Sequence, residues 1–441
     1  MSERLFGTDG IRGLVNVYPM TADMALRVGR AAGHLFSQDD RPHTILIGKD
    51  TRLSGYMFEN ALTAGLCSMG VNVLVVGPLP TPGVSYIMRS LRADGAIMIS
   101  ASHNNYQDNG IKFFGRDGFK LPDEAEDEIA RLATDPDAVE SNPERVGTAR
   151  RIDDAVGRYI EFVKATFPKG MRLDGLRIVC DCANGATYKV APWALQELGA
   201  EVICVSHHPD GRNINRDCGS VHPENMRATV IRERADLGLA FDGDGDRIAM
   251  ADEDGRLLDG NAVLAVLAIG MIERGELPEN TVVATVMANG GLDRTLKQYG
   301  GQVFRTKVGD RYVVEAMREH NLKLGGESSG HIVMLEHNTT GDGLIAALHV
   351  LATMIRQEQR LSVLANVYQP LPEAHVNVPL NGNVPPTEEQ IEALHERAKA
   401  DLNGFGRVVI RTSGTEPLVR VTVEHESLRK AERLAKELAT E

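Results

Sequence analysis

Cysteine is scarce and badly placed for pairing. The five residues Cys67, Cys180, Cys182, Cys204 and Cys218 are odd in number and include no Cys-x-x-Cys spacing, which excludes a disulfide-stapled scaffold and a thiolate zinc site. Positive charge is also in deficit: a formal charge of −13 argues against nucleic acid or an anionic membrane as principal partner, although a small anionic substrate needs only a local basic pocket. Long apolar runs are missing. The longest, near Val263 to Ile272, is too short to span a bilayer, and Met1 to Thr8 has no apolar signal core, so no membrane partner and a cytoplasmic protein are expected. A nucleotide P-loop is absent too, because Asp50 follows Gly48-Lys49 where a hydroxyl residue belongs and His43 stands in place of the leading glycine. That disfavours an ATP-dependent kinase.

What remains is a globular chain of 441 residues, 42% hydrophobic, enough for two to four domains. Three segments share one pattern of apolar strand, turn, amphipathic helix, glycine (Gly70, Gly199, Gly300) and valine-rich second strand. Each reads as a β-α-β unit with parallel strands under helices. After a Pro- and Asn-rich loop from Pro370 to Pro386, the tail reads as helix, two strands and a closing helix, a smaller α+β domain. Expected domains are residues 1–150, 151–253, 254–369 and 370–441.

Phe241-Asp242-Gly243-Asp244-Gly245-Asp246-Arg247 sets three carboxylates at alternate positions. Such acids repel one another unless a cation joins them, and oxygen-only ligands suit magnesium or calcium. Counting from Asp242, even the twelfth position of a calcium loop, Glu253, is acidic, but Arg247 occupies the sixth, where that loop needs glycine. The flanks Leu237–Phe241 and Ile248–Ala251 read as buried strands. Arg247 suits a site where a metal and an anion are held together.

Ile97-Met98-Ile99 runs into Ser100-Ala101-Ser102-His103-Asn104-Asn105, a strand end of the kind that binds ligands in α/β sheets. Ser102 is a candidate nucleophile with His103 beside it, and a phosphorylated Ser102 supplies the oxygen ligand that the three aspartates lack around a metal. Lys112 is a candidate general base if neighbours or burial lower its pKa, or else a phosphate-pairing lysine. Gly325-Gly326-Glu327-Ser328-Ser329-Gly330-His331 combines a carboxylate and two hydroxyls on flexible backbone, suited to sugar hydroxyls. Arg411-Thr412-Ser413-Gly414-Thr415-Glu416-Pro417-Leu418-Val419-Arg420 suits phosphate. Gly7 to Gly13, with Arg12, and Gly48 to Arg52 each place basic residues where an anion is a possible partner.

Taken in order, the motifs at 100–104, 242–247, 325–331 and 411–417 resemble the α-D-phosphohexomutase superfamily from end to end. Within it, Phe6 to Gly13, Val308-Gly309-Asp310-Arg311-Tyr312 and Arg411 to Arg420 look most like the bacterial branch that handles glucosamine phosphates. The resemblance implies interconversion of glucosamine 6-phosphate and glucosamine 1-phosphate, through a phosphoserine and a hexosamine 1,6-bisphosphate, on the way to UDP-N-acetylglucosamine. It implies three similar α/β domains with mixed sheets and a C-terminal α+β phosphate-binding domain, around a central cleft. It further implies one Mg²⁺ held by Asp242, Asp244, Asp246 and the phosphoryl group on Ser102, with Glu327 and Ser329 on the sugar. Arg411, Ser413, Gly414, Thr415 and Arg420 then match the loop for the non-reacting phosphate. His103, Lys112, Arg247 and Arg12 complete the expected catalytic set, and His331 the sugar loop. Two departures are visible: Asn105 stands where the family has proline, expected to loosen the serine loop, and Ser328 sits at a variable position. The rival readings are the mannose- and glucose-phosphate branches, a serine-dependent phosphatase and a calcium-binding or sugar-phosphate-sensing module.

Overall fold

The computed structural model describes residues 5–7, 9–135, 138–140, 142–380, 384–402, 406–412 and 418–440. Its strands form four sheets. The first has the order Ile11–Leu14, Asp108–Gly115, Gly95–Ile99, Thr44–Lys49, Asn72–Pro78, Ala149–Arg151. The second runs Leu257–Leu258, Ile248–Asp252, Leu237–Phe241, Arg177–Asp181, Glu201–Val205, and the third Gln302–Thr306, Thr281–Thr285, Leu324–Gly326, Ile332–Met334.

These three sheets share a plan longer than the β-α-β unit read from the sequence. In each, three parallel strands are followed by an antiparallel one, joined to the third through a hairpin. The hairpin loops are residues 100–107, 242–247 and 327–331, so the serine, aspartate and glutamate motifs occupy one equivalent place in three repeats. The parallel strands are continuous apolar runs, such as Gly95–Ile99 with every residue buried, because helices cover both faces.

One hydrophobic core runs through all three units, with Leu46 and Met98 from the first, Cys180 and Phe241 from the second, and Val282 and Leu324 from the third. The run near Val263 to Ile272 is its central helix, Gly260–Glu273, buried nearly all round and capped by the Asp259 side chain accepting from Ala262 N. A helix enclosed on every side has no polar face, which explains its membrane-like sequence. Among the described residues, no helix is long and apolar enough to cross a membrane.

The fourth sheet, Glu373–Pro379, Leu418–His425, Gly406–Thr412, is antiparallel and has its own core under helices Glu388–Leu402 and Leu428–Leu438. Its first strand lies inside the segment expected to be a loop. That strand is an edge whose residues alternate between exposed and half-buried, so it carries little apolar signal.

Candidate active site

The acidic loop is held by backbone before any ligand is considered. Three successive carbonyls accept from three helical N-termini, one from each of the first three units: Gly243 O from Ala186 N at 2.8 Å, Asp244 O from Thr81 N at 2.9 Å and Gly245 O from Gly343 N at 3.2 Å. Helix N-termini carry partial positive charge, which favours an acidic loop at their focus. Asp242, Asp244 and Asp246 are all buried, with carboxylate oxygens within 4.8 Å of one another.

Their partners leave part of the triad unsatisfied. Asp244 Oδ2 accepts from Thr81 Oγ1 at 2.7 Å and Lys112 Nζ at 3.0 Å, and Asp246 Oδ2 lies 3.7 Å from both Lys112 Nζ and His331 Nδ1. Asp244 Oδ1 and Asp246 Oδ1 are buried without a hydrogen-bond partner. Burial and the like charges of Asp246 and Asp244 push Asp242 well above the usual carboxylate range. Two orphaned anionic oxygens and a carboxyl raised by its own neighbours fit a hard divalent cation. Glu253 is elsewhere, accepting from Ser362 N and Oγ, as a turn between strands requires and a calcium loop does not.

Ser102 meets this triad from 140 residues away, its Oγ donating to Asp242 Oδ2 at 2.6 Å. It sits in the left-handed region at φ 50°, a conformation costing a non-glycine residue about 1–2 kcal/mol. His103 Nδ1 is 3.0 Å from Arg247 Nη1. Burial, then the cations Arg247 and Arg12, lower His103 to about 4, so it is neutral at pH 7 and Nδ1 accepts from the guanidinium.

Lys112 departs from the expectation of a depressed pKa. Burial works in that direction, but Asp244, Asp9 and Asp246 outweigh it and raise the ammonium's pKa. The residue is a fixed cation against the triad, not a free amine. Arg12 pairs with Asp9, and Lys120 bridges Asp9 to Asp310. His331 Nε2 lies 3.6 Å from Asp310. Burial opposes its charge, yet Asp246, Asp310 and Glu327 raise it to about 9, making it an imidazolium at pH 7.

The third loop docks directly on the second: Arg247 bridges to His331, and Ile248 N donates to Gly330 O at 3.0 Å. Glu327 faces the same region with weak ties, accepting from Gly309 N and Ser329 Oγ, each at 3.3 Å. In the fourth sheet Arg411 and Arg420 are paired across the hairpin, and burial, then the like charge of Arg420, lowers the Arg411 pKa. Ser413, Gly414 and Thr415 lie outside the described residues.

The basic residues between Gly48 and Arg52 are paired inside the fold with carboxylates of the chain itself, Glu59 and Asp50. Lys49 is buried against Glu59 at 2.9 Å, and Arg52, fully buried, lies under the serine loop. Sequence reasoning gave no role to Asp9, Thr81, Lys120, Asn215 or Asp310. Asp9 and Asp310 belong to the Phe6 to Gly13 and Val308 to Tyr312 motifs, whose resemblance was legible without a role for either residue; Thr81, Lys120 and Asn215 carry no local signal.

A serine and a metal-ready carboxylate triad joined across two sheets, ringed by buried cations, define an enzyme built to handle phosphoryl groups. The chain belongs to the phosphoglucomutase/phosphomannomutase family: the family's α/β/α domains I, II and III match residues 3–140, 157–255 and 259–371, and its C-terminal domain matches 376–441. It is 57% identical over 425 residues to a phosphoglucosamine mutase of Magnetococcus marinus, covering 96% of this chain and 88% of that protein. It is 54% identical over 440 residues to one of Geotalea uraniireducens, covering 99% and 97%. Among solved structures it resembles a phosphoglucomutase/phosphomannomutase family protein of Burkholderia thailandensis, with a TM-score of 0.83 at 24% identity over 100% of this chain and 98% of that one. It also resembles the Aspergillus fumigatus N-acetylphosphoglucosamine mutase, solved with GlcNAc-6P and magnesium, with a TM-score of 0.66 at 20% identity over 99% and 94%.

Proposed function

We propose that this protein is an isomerase that interconverts glucosamine 6-phosphate and glucosamine 1-phosphate, working in the cytoplasm, with domain boundaries near residues 150, 253 and 369. The observation that carries the chemistry is the 2.6 Å contact of Ser102 Oγ with Asp242, which supports reading Ser102 as a nucleophile beside a metal-ready triad. The choice of amino sugar rests on the names of relatives 52–57% identical over nearly the whole chain.

In this reading Ser102 carries a phosphoryl group and gives it to the free hydroxyl of a hexosamine monophosphate. The Oγ–P bond breaks, a P–O bond to the sugar oxygen forms, and the proton of that sugar hydroxyl ends on the freed Ser102 Oγ. The resulting 1,6-bisphosphate turns around and returns its other phosphoryl group to Ser102. Asp242, Asp244 and Asp246 would hold Mg²⁺, which supplies charge neutralisation to the transferring oxygens. Lys112, Arg247 and the His331 imidazolium add fixed positive charge, the kind of help phosphoryl transfer most needs. Glu327 and Ser329 bind sugar hydroxyls, while Arg411 and Arg420, with Ser413, Gly414 and Thr415, bind the phosphate that is not reacting.

Incubation with glucosamine 6-phosphate, Mg²⁺ and a catalytic amount of hexose 1,6-bisphosphate tests this. Glucosamine 1-phosphate should form, and Ser102→Ala should abolish its formation. Steady release of inorganic phosphate without glucosamine 1-phosphate would reject the mutase, and a higher kcat/KM for mannose or glucose phosphates would reject the amino sugar.

A further inference from the structure

Arg52 is fully buried in a protein whose substrate is anionic, and every one of its side-chain N–H groups is used. Nε donates to Asp50 Oδ2 at 2.8 Å, Nη2 to Ser102 O at 3.0 Å and Asn104 O at 2.8 Å, and Nη1 to Asp108 O at 3.1 Å and to Asn105 O. A guanidinium has five such hydrogens, so this one is saturated: three of the five go to carbonyls of the serine loop and a fourth to Asp108, the first residue of the strand that follows it. Asp50 is held in turn by Arg52 N and Ser100 Oγ, and Ser100 Oγ accepts from Ser102 N at 2.9 Å.

A second clamp comes from the neighbouring unit. Asn215 Nδ2 donates to Ser102 O and to Asn104 O, both at 2.8 Å. Each of these two carbonyls therefore accepts from one donor of each unit, which fills both lone pairs of each oxygen. Asn215 is itself buried, at φ 57°, with its own N–H on Ala183 O at 2.9 Å. It also touches the metal loop, since a Cβ on Gly243 would come within 2.8 Å of Asn215 Nδ2 and 2.6 Å of Ser102 O.

We infer that Arg52 and Asn215 are positioning residues, which turn the carbonyls of the serine loop inward, hold Ser102 in its left-handed conformation and set its Oγ in register with the metal loop of the next unit. This rests on Ser102 being the phosphoryl carrier. Six hydrogen bonds to four carbonyls, from Ser102 to Asp108, supply the rigidity of this segment. Loop placement matters more here than in a one-way hydrolase, because the same oxygen has to give and receive the phosphoryl group within one turnover.

The test uses the full-length Arg52→Lys and Asn215→Ala proteins, beside wild type and Ser102→Ala. Lysine keeps the buried cation but has no fork, and the alanine removes the cross-unit clamp while adding the backbone strain of a Cβ residue other than asparagine at φ 57°. Both should lower kcat about 100-fold, the effect of roughly 1 Å of misplacement, with KM for the sugar phosphate within about threefold of wild type. Amide hydrogen exchange in the 102–108 segment should quicken at least about tenfold while exchange in the central strands is unchanged. Wild-type kcat and exchange in both variants, or activity lost only in proportion to unfolded protein, would overturn the inference. If Ser102→Ala is fully active, the reading of Ser102 fails. The exchange experiment then still decides whether the clamp exists.

Discussion

Gly243→Ala is the most direct probe of the spacing between serine and metal loops. Gly243 is not among the glycines with positive φ, so alanine's backbone is acceptable there and only space decides. The added Cβ would stand 2.6 Å from Ser102 O, 2.8 Å from Asn215 Nδ2 and 2.8 Å from Ile214 Cδ1. A carbon needs about 3.2 Å or more from an oxygen, so the loops separate by about 0.6 Å, and the opposite side gives no relief. There Gly185 packs so closely that its own Cβ would be 2.4 Å from Gly243 O. Overpacking of this kind costs about 1–3 kcal/mol of stability. In catalysis, the displacement stretches the 2.6 Å Ser102–Asp242 contact, and since 1 Å is worth roughly 100-fold, kcat should fall about 10- to 30-fold, or about 1.4–2 kcal/mol in barrier. Steady-state kinetics over a Mg²⁺ titration should show the lower kcat together with a higher Mg²⁺ concentration at half-activation. Gly185→Ala should do the same from the other side. Wild-type kcat and Mg²⁺ response in a folded Gly243→Ala protein would refute the argument that this contact sets the site.

Chelation of divalent metal should lower the unfolding midpoint and abolish mutase activity, and Mg²⁺ at about 100 times its Kd should restore about 2.7 kcal/mol; Asp244→Asn, followed by differential scanning fluorimetry, should show no such metal-dependent shift. His349, half-buried beside His337 with its Nε2 enclosed and unpartnered, is lowered to about 3 by burial and then by His337, Arg274 and Arg356. The unfolded chain takes this proton near 6.5 and the folded one resists it, so its contribution to stability is full above pH 6.5 and is lost as pH falls toward 3. Urea unfolding should therefore show wild type losing about 1.5 kcal/mol more than His349→Gln between pH 6.5 and 5, and parallel curves would contradict the burial argument. Arg407 Nη2 donates to Val286 O, Ala288 O and Glu424 Oε1, joining the third and fourth sheets, while buried Glu424 Oε2 accepts from Gly290 N at 2.7 Å. Arg407→Ala should leave Glu424 uncompensated at a cost of about 2 kcal/mol, less than for a fully enclosed pair because the arginine is part-exposed. Calorimetry should then resolve an earlier transition for the C-terminal domain, and KM should rise more than kcat falls.

Much of the architecture is written in local pattern. The parallel β-α-β units carry glycine-terminated helices and apolar strands, and the strands flanking the acidic loop fall where the residue run places them, at Leu237–Phe241 and Ile248–Asp252. The edge strand Glu373–Pro379 was passed over because its inward residues Ala374, Val376 and Val378 are only half-buried and alternate with polar ones, a weak pattern bounded by prolines at 372 and 379. Arg52 misled for a related reason: an arginine among glycine, lysine and threonine looks the same in sequence whether it meets a phosphate or four carbonyls, and only its burial separates the two. Lys112 likewise has its state decided by Asp244, which is 132 residues distant in the chain.

By itself the sequence determined that one turn would carry three carboxylates, since alternate spacing brings them together whatever surrounds the turn, and that they would need compensating positive charge, from a bound cation or from cationic neighbours. It also determined the strand-and-loop repeats on which the motifs ride, because backbone preference and apolar periodicity act over a few residues. Tertiary structure alone decided that the serine, aspartate and glutamate loops are the same hairpin in three repeats. Their sheets share a single core, and burying those inner faces together brings Ser102 to Asp242, fastens His331 to Arg247 and turns Arg52 inward. Charge state followed from the same packing: Coulomb energy depends on separation through space, and the few ångströms that make Lys112 a fixed cation exist only after the units have closed on one another.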